Sequence, residues 1–245
     1  MIHVLRLALL AFGLGCTSTY AQSFSDDFNR LDSTAVGNGW IASPNDSPGS
    51  LVVQSGALAN PHPLGAGTVY RPFDFSSDGR IRLTFTETNG FNGPHRFENA
   101  ISLFSDGIQD GVGLHVFFTR SDQGFENSQV DVRINGTIIE TQFSTFQYGS
   151  RIDVDFAYTL SGQVYGSVTG AGFAPFDFSF SSLSLPSGTN LGIRLAGGVS
   201  MTGTADNFSV TPIPEPATYA MLLAGLGALG IVARRRRING LATSA

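Results

Sequence analysis

The chain has 245 residues, no lysine, a single cysteine and a formal net charge of −5 at neutral pH. One cysteine excludes an internal disulfide framework. Residues 22–211 carry nine arginines against eighteen acidic side chains, a net charge of −9, which argues against nucleic acid or anionic lipid as partners of that region.

Met1 to Ala21 reads as a secretory signal peptide. Arg6 supplies the positive start, Leu5 to Leu14 is mostly apolar, and Thr19-Tyr20-Ala21 places small residues at the −3 and −1 positions. Cleavage before Gln22 leaves a mature chain without cysteine. Lipoprotein processing at Cys16, after Gly13-Leu14-Gly15, stays open as the alternative. An uncleaved N-terminal anchor is disfavoured because the apolar core is short.

From Gln22 to Thr211 the hydrophobic period is two. Ile81, Leu83 and Phe85 alternate with Arg82 and Thr84, and Val130, Val132 and Ile134 with Asp131 and Arg133. Ile152, Val154 and Phe156 alternate with Asp153 and Asp155, Phe176, Phe178 and Phe180 with Asp177 and Ser179, and Leu191, Ile193 and Leu195 with Gly192 and Arg194. Each pattern predicts a half-buried strand with one wet face. Asn135-Gly136 predicts a type I′ hairpin, and Asn89-Gly90, Asp106-Gly107, Asp110-Gly111 and Ser161-Gly162 punctuate the remainder. No sustained helical period interrupts them. The reading is all-β: an antiparallel jelly-roll β-sandwich over 22–211, flanked by a signal peptide (1–21) and a C-terminal tail (212–245).

Both ends of that region carry short motifs. Ser25–Ser33 (SDDFNRLDS) with Gly37–Trp40 (GNGW) resembles the opening strand of bacterial laminin G-like, concanavalin-type domains, and Ala205–Val210 (ADNFSV) resembles their closing strand. The resemblance implies a sandwich whose first and last strands are neighbours, with Phe28 and Phe208 in the core. It also implies a range of roles, from carbohydrate-binding modules and adhesion domains to some glycosidases. With the terminal strands adjacent, Asp26, Asp27 and Asp206, together with Asn207, are candidates for a structural calcium site, since Ca²⁺ takes six to eight oxygen ligands. The competing reading is that these side chains cap turns and solvate strand ends.

Catalytic signals are sparse. Asp153 and Asp155 share a strand face, but they alternate with apolar residues as a solvated face does, and no Glu-x-Asp-x-Glu strand of the jelly-roll glucanases occurs. His62, His95 and His115 form no zinc-ligand pattern. Asn92–Glu98 is a polar and aromatic loop that suits either a ligand or plain solvent. Trp40, Tyr70, Phe91, Phe125, Tyr148 and Tyr165 are candidates for stacking on sugar rings wherever they are exposed.

The tail has three parts: Pro214-Glu215-Pro216, the uncharged run Ala217 to Ala233, and Arg234-Arg235-Arg236-Arg237. The prolines hold a helix start back to about Ala217. A helix over 217–233 reaches about 25 Å, short for a bilayer core but within range. Four arginines resist translocation, which leaves everything before them outside. Together the three parts resemble a PEP-CTERM sorting signal. That resemblance implies a Gram-negative exported protein, held first at the inner membrane by its C-terminal helix. An exosortase-type enzyme would then process it for the surface or the exopolysaccharide matrix. The expected role is a non-enzymatic matrix component with extracellular polysaccharide as candidate ligand. A glycoside hydrolase or lyase on the same sandwich is the alternative, and an acid pair at cleft distance on the concave sheet is the feature that discriminates them. A plain anchor that is never cleaved is the alternative for the tail.

Overall fold

Strict apolar–polar alternation with Gly-containing turns leaves the chain one way to bury its apolar face, by stacking two sheets. The computed structural model describes residues 22–44, 51–61, 65–88, 96–107, 112–121, 128–144, 151–171, 174–196, 202–214, 223–227 and 229–231. Among the described residues fifteen strands run in chain order. The first five are β1 (Phe24–Asp26), β2 (Ile41–Ala42), β3 (Val52–Gln54), β4 (Ala57–Ala59) and β5 (Ala66–Pro72). The long central strands follow: β6 (Gly79–Thr88), β7 (Arg96–Ser105), β8 (Leu114–Ser121), β9 (Ser128–Ile134) and β10 (Thr137–Ser144). The last are β11 (Arg151–Thr159), β12 (Gln163–Gly170), β13 (Phe176–Phe180), β14 (Asn190–Ala196) and β15 (Thr202–Pro212).

An eight-stranded sheet has the order β13-β12-β11-β6-β15-β4-β3, with β1 added alongside β15, and a seven-stranded sheet has the order β10-β9-β8-β7-β14-β5-β2. All pairings are antiparallel. The chain is thus an all-β sandwich, and the expected hairpin is present: Asn135 and Gly136 both have positive φ, as a type I′ turn requires, and β9 pairs with β10 through them. The first and last strands are neighbours, with Phe24 opposite Val210 and Asp26 opposite Phe208.

The core lies between the sheets. Ile81, Leu83 and Phe85 from one sheet meet Ile101, Leu103, Val116, Phe118, Val130 and Val132 from the other, all buried. Ring pairs Phe85–Phe118 at 5.9 Å and Phe118–Phe178 at 6.1 Å cross the interface. Each such side chain contributes roughly 1.5–3 kcal/mol by leaving water.

The expectation of one wet face per strand holds for only one sheet. On the eight-stranded sheet the outer face is solvated: Arg80 and Arg82 both bond the Asp155 carboxylate, Arg151 bonds Asp153, and all are part-exposed. On the seven-stranded sheet the outer face is instead buried across the central strands, while its edges stay exposed at Ile41 and Phe143. Thr68, Tyr70, Ala100, Ser102, His115, Phe117, Thr119 and Asp131 all lie on it and all are buried. Asp131, expected on a wet face, is fully inaccessible.

In the tail, helical residues are 223–227 and 229–231, inside the expected span 217–233. Among the described residues no helix is long and apolar enough to cross a membrane, and the rest of the expected span 217–233 lies outside them.

Candidate functional site

The two terminal motifs meet in a clamp. Asp26, at the end of β1, is buried, and its two oxygens accept five N–H groups. Arg30 donates through both terminal nitrogens at 2.7 and 3.0 Å, Asn38 at 3.0 Å, the Trp40 indole at 2.9 Å and the Phe28 backbone at 2.8 Å. Trp40 packs edge-on against Phe24 and Phe208, and the Arg71 guanidinium lies 3.5 Å over the Phe24 ring while donating to the Asn38 carbonyl. Burial alone would raise the Asp26 pKa. The Arg30, Phe28, Asn38 and Trp40 donors outweigh it and hold the carboxyl below its ordinary value.

That arrangement does not suit calcium. The Asp26 oxygens are already directed at a guanidinium and three further donors, which leaves neither of them for a cation. Asp27 accepts the Asn29 N–H just beyond β1, and Asp206 accepts the Asn207 N–H inside β15, where the register against β6 shifts. Asp26, Asp27 and Asn207 line one cleft of about 420 Å³ with Arg30 and Asn38, and Asp206 is not among its lining residues. Among the described residues no group of three or more His, Cys, Asp or Glu side chains is placed to hold a metal ion.

The second cluster sits on the buried outer face of the seven-stranded sheet. Cross-strand register sets Tyr70, Gly192, Ser102, His115 and Arg133 in one row, and Arg194, Ala100, Phe117, Asp131 and Thr141 in the next. Asp131 accepts from Gln129 at 2.8 and 2.9 Å, Thr141 at 2.9 Å and Arg133 at 3.0 Å. The same Arg133 nitrogen lies 3.6 Å from Glu98, and its guanidinium stacks 3.9 Å over Phe117. His115 Nδ1 and the Ser102 hydroxyl are 2.8 Å apart. Gly192 gives the Tyr70 ring its room: a Cβ there would stand 2.6 Å from a ring carbon. Glu98 and Arg133 keep 25% and 17% of their side chains exposed, and Gln129 and Thr141 are likewise half-buried. They make a polar strip over a floor of Asp131 and Phe117.

Reasoning from sequence missed this strip because Asp131 and Arg133 look like ordinary solvated positions. The available signal was β8, Leu114-His-Val-Phe-Phe118, which is apolar on both parities and so reads as a strand buried on both faces. Of the other expected residues, Trp40 and Tyr70 are buried, while Tyr165 is exposed. Asp153 and Asp155 are ion-paired on the solvated sheet. Phe91, Phe125, Tyr148, His62 and His95 lie outside the described residues. Pro214 is exposed just beyond β15, and Glu215, Pro216 and Arg234, Arg235, Arg236 and Arg237 lie outside the described residues.

Residues 212–237 match the PEP-CTERM protein-sorting motif. The sandwich is similar to the carbohydrate recognition domain of Emp47p, at 13% identity over 81% of this chain and 99% of that one, with a TM-score of 0.56. It is also similar to a lectin from Bauhinia forficata solved with GalNAc (15% identity, 78% of this chain and 99% of that one, TM-score 0.53). A third similar structure is the exoplasmic/lumenal domain of VIP36 in its Ca²⁺/Man3GlcNAc-bound form (14%, 76% and 89%, TM-score 0.51). At these identities the likeness is one of fold. No curated protein sequence matches the chain. The protein therefore pairs a lectin-like β-sandwich with a C-terminal PEP-CTERM sorting motif, which marks it for export and for membrane anchoring through that end.

Proposed function

We propose that the protein is a non-enzymatic, carbohydrate-binding component of the extracellular polysaccharide matrix. In this reading an exosortase-type enzyme processes the sorting tail at the inner membrane and releases the sandwich to the cell surface. The observation that carries the reading is the half-exposed strip Glu98, Arg133, Gln129 and Thr141 on the outer face of the seven-stranded sheet. It combines planar hydrogen-bonding groups with a guanidinium whose orientation is fixed by stacking on the buried Phe117, which offers sugar hydroxyls directed donors and acceptors.

The rival reading, a glycoside hydrolase, is favoured by one observation. Glu98 and Asp131 contact the same Arg133 nitrogen, which keeps the two carboxylates within about 7 Å, a spacing that glycoside hydrolysis can use. Against it stands the saturation of Asp131: three side chains already donate to its oxygens, so it is poorly placed to act as nucleophile or base. Screening the native mature protein on arrays of neutral and acidic glycans, with a reducing-end assay alongside, separates the two. Binding without new reducing ends is expected, and Arg133→Ala is expected to abolish it. Release of reducing ends that is lost in Glu98→Gln would establish the hydrolase instead.

A further inference from the structure

The strand connections sort cleanly between the two ends of the sandwich. β15 finishes at Pro212 opposite Gly79, the first residue of β6. At that same end lie the β5–β6 link, the end of β7 and the start of β8, the Asn135-Gly136 turn, the β11–β12 turn and the β13–β14 link, as antiparallel pairing of the strand ends requires. Backbone bonds tie these turns together: Ile213 N–H to the Asp78 carbonyl, Leu183 N–H to Gly162, and Phe73 N–H to Thr189. The Asp78 carboxylate also accepts the Leu160 N–H. Glu98, Gln129 and Thr141 lie in the opposite half, since Arg96, Ser128 and Ser144 mark the other ends of their strands, whereas the Arg133 backbone sits beside the Asn135-Gly136 turn and only its guanidinium reaches over Phe117 toward Glu98.

The tether is short. Ile213 is still bonded to the sandwich, so only residues 214–216 separate it from the expected membrane segment at 217, and three residues reach at most about 11 Å. β15, with its 11 residues, is about 35 Å long. A rigid body held that closely by one end cannot turn over.

We infer that, while anchored, the sandwich faces the lipid headgroups with the turn end around Asp78, Leu160 and Ile213, and presents the Glu98–Gln129–Thr141 strip outward. The inference rests on the tail acting as a membrane anchor. The surface it identifies is a lipid-facing one whose contact is imposed by tether length. Among the described residues the end carries an exposed Leu160 with Asp74 and Asp78, and its Arg80 is held by Asp155, so the described surface there is not basic.

The cysteine-free mature sequence makes the test direct. Ser161→Cys and Ala171→Cys place one label at each end of β12, both at exposed positions. The chain from Gln22 to Ala245, which lacks Cys16 and keeps the whole tail, is reconstituted into phosphatidylcholine vesicles that carry a headgroup-linked quencher. The expected result is several-fold stronger quenching at position 161 than at 171. Equal or reversed quenching in vesicles that float with the protein overturns the orientation while leaving the anchor intact. Failure to float overturns both. Inserting about twenty Gly/Ser residues between Ile213 and Pro214 is expected to erase the difference, because a flexible linker of that length lets the body tumble. A difference that survived the insertion would overturn the tether as its cause.

Discussion

Two buried carboxylates do different work in this molecule, and they predict different behaviour. Asp26 locks the N-terminal strand. Because its folded pKa lies below the unfolded value, the stability it contributes is present above the ordinary carboxylate pKa of about 3.9 and is lost as pH falls through the lower folded value. Denaturation of wild type and Asp26→Asn across pH 2 to 7 is therefore expected to show wild type more stable near neutrality, with the gap closing only in strong acid. A gap independent of pH would contradict the charged clamp. Asp131 organises the polar strip from a fully buried position. Asp131→Ala leaves the Gln129 and Thr141 donors without their acceptor and Arg133 with Glu98 alone, and urea denaturation is expected to register a loss of about 1–3 kcal/mol. Asp155→Ala offers the contrast. Arg80 and Arg82 hold that carboxylate on an exposed sheet face, and its loss is expected to cost no more than about 1 kcal/mol in the same measurement.

At the level of strands and turns, two glycines separate backbone need from packing need. Gly136 has φ +78 and open space where a Cβ would stand, so Gly136→Ala pays only the left-handed backbone cost, about 1–2 kcal/mol. Gly192 has no such φ, but its Cβ would press on the Tyr70 ring, and overpacking of that kind costs about 1–3 kcal/mol. Thermal unfolding is expected to report comparable losses for the two, while glycan binding is impaired only by Gly192→Ala, which disturbs the face beside Ser102. The strands themselves were legible because period-two alternation, Asn135-Gly136 and the opening and closing motifs are local features of the chain. Which outer face is buried was not legible. Alternation records only that Asp131 is polar, and the partners that make its burial tolerable, Gln129, Arg133 and Thr141, come together through the pairing of β9 with β10. Likewise Asp26, Arg30, Asn38 and Trp40 all stood inside a recognised motif, yet their joint role is visible only once the chain turns back and Trp40 reaches Asp26. The sorting motif over 212–237 was legible, since such a motif is recognised as a linear string and asks nothing of the fold.

Across the whole molecule, the sandwich and the tail divide stability from address. β15 is a central strand of its sheet, flanked by β6 and β4, and its Ala205, Phe208 and Val210 are core residues, so the fold needs the chain as far as Pro212. Ile213 adds one backbone bond to Asp78, and Pro214 is already exposed. Cutting after Ile213 should therefore remove the address without touching the body. A chain ending at Ile213 is expected to melt within about 2 °C of the full-length protein, since surface changes away from core and cap shift stability by no more than about 0.5 kcal/mol. A chain ending at Phe208 is expected not to fold at all, because it loses Val210 and the pairing of Ser209 to Pro212 with β6. Near-ultraviolet circular dichroism during thermal melts distinguishes these outcomes. If the Ile213 chain unfolded early, the tail would be contributing to the fold, and its removal by a processing enzyme would be incompatible with a stable secreted product. Mass spectrometry of the protein from native cells then addresses the remaining step: loss of Arg234–Arg237 from the mature form is expected, and their retention would leave the tail a permanent anchor.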